Sequence, residues 1–119
     1  MQYMALIYGD ESAWVDRPED ESSQILDRYL ALADDARKAG VMRGGDQLAP
    51  TRDATTVRIR EGQTLVVDGP YAEAKEVLGG YFLFECDTME EALDWAARIP
   101  AVEHGAVEVR PVYFDPAEA

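Results

Sequence analysis

The chain opens with YMALIY, in which both alternating sets of positions are apolar: Tyr3, Ala5 and Ile7 on one side, Met4, Leu6 and Tyr8 on the other. Such a run suits a central strand covered on both faces. After the loop GDESAWVDRPED the spacing changes to threes and fours, with Ile25, Leu26, Tyr29, Leu30, Ala33 and Ala36 on one stripe, which predicts an amphipathic helix. Pro18 marks its start and Gly40 its stop. Glu19, Asp20 and Glu21 suit the positive end of the helix dipole, and Arg37 and Lys38 the negative end.

From 41 to 68 the pattern shortens into extended pieces. VMRGGDQLAP comes first, and then Thr55 to Arg60 and Gln63 to Asp68 flank Glu61-Gly62, a two-residue loop that predicts a hairpin. GGYFLFEC alternates Tyr81, Leu83 and Glu85 against Phe82, Phe84 and Cys86, and its aromatic content favours a strand. DTMEEALDWAARIP has Thr88 three residues before Glu91, the spacing of a capping box, and Met89, Ala92, Leu93, Ala96 and Ile99 on one stripe up to Pro100, so it predicts a second helix. In AVEVRPVYF, Val107 and Val109 oppose Glu108 and Arg110, and Pro111 places this last strand at a sheet edge.

Strand, helix, strand, strand, helix, strand is the order of a ferredoxin-like split βαβ in the α+β class, here with a β-hairpin inserted in the middle. Two helices cover one sheet face only. Leaving the second apolar face wet would forfeit several kcal/mol at roughly 25 cal/mol per Å², so the pattern predicts a homodimer, sheet against sheet.

Composition sharpens this. The 119 residues fit one domain, taken as residues 1–114 with a frayed tail at 115–119. Eleven basic and 24 acidic residues leave a net charge of −13, which repels phosphate backbones and anionic membrane; neither nucleic acid nor membrane is an expected partner. The apolar run at the N-terminus is too short for a span and lacks a basic leader. The lone Cys86 has no internal disulfide partner and fits a buried, reduced thiol, so the expected location is cytoplasmic. One His, one Cys and dispersed acids give no metal-ligand spacing, and no cofactor motif is present.

DGPYAEAKEVLGGYFLFE, EEALDWAARIP and HGAVEVRPV, together with YMALIYGDE, GGDQLAP and ATTVR, occur in the order of the YCII-related family. Nearly the whole chain resembles that family, in the branch named DGPF after its Asp-Gly-Pro-Phe turn. Tyr71 stands where the name-giving Phe would be, and Ala74 where a Thr is common. The resemblance implies a dimeric α+β barrel of ferredoxin-like halves. In the wider superfamily a His and Asp pair is associated with enzymatic activity, at positions that do not match this chain residue by residue, and some branch members are encoded beside alternative sigma factors.

The candidate chemistry centres on residues 68–76. Asp68 either caps the turn that Gly69 and Pro70 complete or serves as a proton carrier. Glu73, Lys75 and Glu76 are placed in a polar loop or helical turn. There Lys75 either neutralises its neighbours or binds an anion with Glu73 or Glu76 as partner, and the loop folds over the open sheet face. Tyr71 adds a hydroxyl to this wall, and Asp46 in RGGDQL projects a carboxylate from another. His104 is the only side chain of the type that changes charge near neutrality. Arg110 either grips a carboxylate or phosphate or pairs with an acid across the dimer. Trp14 and Trp95 are expected to be packing or interface anchors.

Two functions fit these residues. In one, a small enzyme uses His104, Asp68 and Glu73 for acid-base chemistry on a small polar or anionic molecule held by Lys75, Arg110, Glu76, Tyr71 and Asp46. In the other, the same pocket belongs to a non-catalytic ligand-binding or regulatory module, linked to transcription through a protein partner.

Overall fold

A computed structural model describes residues 1–118. Strands β1 (Gln2–Asp10), β2 (Met42–Gln47), β5 (Glu76–Glu85) and β6 (Ala106–Pro111) form one antiparallel sheet in the order β2-β5-β1-β6. Helix α2 (Glu19–Lys38) connects β1 to β2, and α3 (Met89–Ala96) connects β5 to β6. This is the ferredoxin-like α+β arrangement that the pattern predicts. Strands β3 (Thr55–Arg60) and β4 (Gln63–Asp68) make a separate two-stranded hairpin between β2 and β5.

The core lies between the sheet and the two long helices. Tyr3, Ala5, Phe82 and Phe84 point into it from the sheet, and Leu32, Ala33, Ala36, Ala92, Ala96 and Ile99 meet them. The rings of Tyr29, Phe82 and Phe84 stack in series at 6.3 and 5.6 Å between centroids, and Trp95 closes the row at 6.4 Å from Phe84. Large and small residues alternate across the strands. Phe82 sits between Ala5 and Gly45 in register, and a Cβ on Gly45 would come within 2.9 Å of the Phe82 ring. The helices are held at their ends as the sequence predicts. Gly40 takes a φ of +76° after α2, and the Thr88 hydroxyl accepts from the Glu91 amide at 3.2 Å at the start of α3.

The other sheet face is different. In register across β2, β5, β1 and β6 it presents Gly44, Leu83, Met4 and Arg110, then Asp46, Tyr81, Leu6 and Glu108. Met4, Leu6, Tyr81 and Leu83 are half-buried, and none of them belongs to the buried core or packs against it. The prediction that strand one is covered on both faces therefore holds within the protomer for one face only.

Three local readings are corrected. The loop after β1 contains a short helix, α1 (Glu11–Val15), which starts because the Asp10 carboxylate accepts from the Ser12 amide at 3.0 Å. Its Trp14 ring packs over Gly9 and Gly79, whose missing side chains make the room, so this tryptophan is a packing anchor. Second, β5 begins at Glu76, which pairs with Asp10 of β1; there is no helical turn there. Third, the Asp68 side chain does not cap its own turn. The hairpin is closed at its base by the Gly69 amide donating to the Ala54 carbonyl at 2.7 Å and by the Thr56 hydroxyl donating to the Gly69 carbonyl at 2.8 Å. At the other end of the hairpin, Glu61 and Gly62 both take positive φ, 51° and 78°, as a two-residue turn requires.

At the C-terminus Pro116–Glu118 forms a 3₁₀ turn in which the Ala117 amide donates to the Asp115 carboxylate. Ala119, the end of the tail expected to fray, lies outside the described residues.

Candidate functional site

A cleft of about 650 Å³ opens at one end of the sheet, lined by Asp10, Glu11, Thr51, Pro70, Ala72, Glu73, Ala74, Lys75 and Val77. Its floor follows from the chain's path. β1 ends in Asp10, which caps α1, accepting from the Ser12 amide and, at 2.7 Å, from the Ser12 hydroxyl. The next residue, Glu11, grips the 3₁₀ turn Thr51–Asp53: its two carboxylate oxygens accept from the Thr51 amide at 2.5 Å and the Thr51 hydroxyl at 2.6 Å. The opposite wall is the segment from Pro70 to Lys75, which leaves the hairpin and enters β5.

These bonds set the electrostatics. The Ser12 hydroxyl and amide hold the Asp10 carboxyl below its ordinary range, with Lys75 adding to the effect. The Thr51 hydroxyl and amide do the same for Glu11. Both acids are thus ionised near neutrality and already engaged in holding the cleft together. Glu73 and Lys75 form no hydrogen bond or ion pair among the described residues, so their charged ends are available to a visitor. Three carboxylates against one ammonium give the lining a negative sum. That sum opposes a simple anion and favours a molecule that brings a positive group along with its negative one.

The sequence candidates are divided by the fold. Glu73 and Lys75 share the cleft. Glu76 is next to it in β5, opposite Asp10, without lining it. Asp68 ends β4 against Thr55, and Tyr71 stands exposed with the Arg58 guanidinium 5.4 Å from its ring centre. Asp46 and Arg110 lie on the open sheet face, at its two edges. There the Tyr81 hydroxyl donates to Asp46 at 2.6 Å, and this bond pushes the phenol's pKa up. His104 ends the 3₁₀ turn Pro100–Glu103, exposed, with its amide donating to the Ala101 carbonyl. It does not line the cleft. The expected trio of His104, Asp68 and Glu73 is therefore not assembled in one protomer, and the polar loop closes the sheet's end instead of its open face.

Asp10, Glu11 and Thr51 were not singled out by the sequence pattern. Asp10-Glu11-Ser12 carries the signal of a helix N-cap, hidden inside a stretch that also reads as loop. Nothing local marks Thr51, since its role depends on a contact forty residues away. A second hollow, of about 610 Å³, touches only Arg60, Glu61, Gln63 and Leu65 at the hairpin's end, where two strands cannot enclose a ligand. Among the described residues no cluster of three His, Cys, Asp or Glu could hold a metal ion, and no helix is long and apolar enough to cross a membrane. Burial pushes the Cys86 thiol pKa up, which suits a packing role.

Residues 1–114 match the YCII-related domain. An uncharacterized protein of Rhizobium meliloti (strain 1021) is 36% identical over 121 residues, an alignment that spans 99% of this chain and 98% of that relative. With the β2-β5-β1-β6 sheet, its two covering helices and end-to-end similarity to such a relative, the chain belongs to the YCII-related family.

Proposed function

We propose that the protein is a cytoplasmic homodimer of the DGPF branch, built from a single domain over residues 1–114, that binds a small polar molecule in the cleft at the sheet end. One observation carries this reading: Glu73 and Lys75 face the same cleft without partners, while the other two acids there are bound to Ser12 and Thr51. An opposite-charged pair two residues apart on one wall suits a zwitterion, whose ammonium meets Glu73 and whose carboxylate meets Lys75. Binding is favoured over catalysis because neither His104 nor Asp68 lines the cleft. The half-buried apolar strip Met4, Leu6, Tyr81 and Leu83 supports the two-fold pairing, and the charge of −13 supports a partner other than nucleic acid.

The test is a thermal-shift screen of α-amino acids against carboxylates and amines of the same carbon skeleton. A ligand at a hundred times its dissociation constant stabilises by about 2.7 kcal/mol, which such a screen detects. Lys75→Ala and Glu73→Gln are each expected to weaken the hit about tenfold or more, and Arg110→Ala to leave it unchanged. If both cleft variants keep every shift intact, the cleft is not the site.

A further inference from the structure

The hairpin β3–β4 takes no part in the cleft, and among the described residues it has no substantial contact with another element of its own protomer. Its strands pair with each other and with no strand of the main sheet, and their substantial contacts are internal. Val57, Ile59 and Val66 share one face, with Val57 directly opposite Val66, and stand 63%, 73% and 64% exposed. Leu65 and Val67 are exposed on the other face beside Arg58 and Arg60. A two-stranded hairpin is marginal by itself in water, and an apolar face of this kind marks an interaction surface. The protomer is also larger than its mass requires: its radius of gyration is 16.2 Å and its extents are 48 × 44 × 18 Å, whereas about 13.5 Å is expected of a compact chain of this length.

We infer that the hairpin is an exchanged arm, which seats its Val57, Ile59 and Val66 face against the rim of the open sheet of a second copy of this chain. The inference rests on the two-fold pairing proposed above and names what completes it. One observation selects a second copy as occupant.

That observation is area. A four-stranded face about 20 Å long and 19 Å wide buries only about 800 Å² when two of them meet. Stable dimers bury about 1,600 Å². An arm face about 20 by 10 Å, contributed twice and counted on both sides, brings the total to about that value. Sheet pairing without the arms falls short, and arms without the sheets fall equally short. There is a consequence for the cleft as well. β4 runs directly into Pro70–Lys75, so seating the arm also fixes the wall that carries Glu73 and Lys75.

Sedimentation velocity over a micromolar dilution series tests this with the full chain, comparing the parent with Ile59→Asp/Val66→Asp on the arm and with Leu83→Asp on the sheet. Because Ile59 and Val66 are exposed, the arm variant is expected to keep the parent's circular dichroism. Its dimer dissociation constant is expected to rise about a hundredfold. In the parent, backbone amides of Thr55–Arg60 and Gln63–Asp68 are expected to be protected from hydrogen exchange at high protein concentration and to lose that protection on dilution. A parent dimer that Leu83→Asp dissociates and the arm variant does not, with hairpin amides unprotected throughout, would overturn the arm and leave the sheet pairing standing. A parent that is a lone protomer at every concentration overturns both.

Discussion

Strands β3 and β5 come from segments of similar strand-forming character, Val and Ile with Thr in one and Tyr, Phe and Leu in the other, and they finish in opposite surroundings. Phe82 and Phe84 of β5 are buried in the core between sheet and helices, with Phe84 fully shielded, whereas Val57 and Ile59 of β3 face solvent. Forming a strand requires only a partner strand and a turn of the right geometry, which Glu61-Gly62 supplies for the hairpin. Burying it requires another layer. The body has that layer because α2 and α3 each return a stripe of small and apolar residues to the sheet, and no helix is left for the hairpin.

The comparison breaks most visibly under truncation. Phe84→Ala removes a ring shielded on all sides and is expected to cost about 4 kcal/mol in urea unfolding, while Ile59→Ala in a lone protomer should stay within about 0.5 kcal/mol. Equal costs would mean that the arm is packed on its own body. A smaller effect is expected at the junction of β6 with β1. A Cβ at Gly105 would stand against the Tyr8 carbonyl, inside contact distance, so Gly105→Ala has to push the start of β6 off its neighbour. A loss of about 2 kcal/mol is expected. The hairpin amides should keep their exchange rates, which would separate body from arm.

The smallest effect concerns the cleft floor. The Glu11 carboxyl is held below its ordinary value of 4.5 by Thr51. The bond therefore contributes in full above that value and is lost as the pH falls through the lowered one. Acidification through this window should lower the protection factor of the Thr51 amide in the parent, its rate being taken relative to the intrinsic exchange rate at each pH. Glu11→Gln should show a low protection factor there already at neutral pH and little further change. A Thr51 amide indifferent to both treatments would remove Glu11 as the tie between α1 and the 3₁₀ turn.

Much of this architecture was legible along the chain because the signals are local. Gly40 ends α2, Thr88 and Glu91 start α3, Glu61-Gly62 turns the hairpin, and Pro111 keeps β6 at an edge, each through bonds within a few residues or through what a proline cannot do. The wall residues Glu73 and Lys75 were legible for the same reason, as charged groups crowded before an aromatic strand. The rest of the site was not. Glu11 meets Thr51 across forty residues, and His104, Asp46 and Arg110 are functional in type yet lie away from the cleft.

By itself, then, the order of apolar and polar residues determined which segments become strands and helices, and that one sheet face is left over, because periodicity and capping act over a turn or a strand. Which charged groups share a cleft, and that the hairpin stands apart from the sheet it interrupts, was decided by tertiary structure alone. Those outcomes depend on where strand ends meet once the layers are packed, and pairing at that distance leaves no mark in the local pattern.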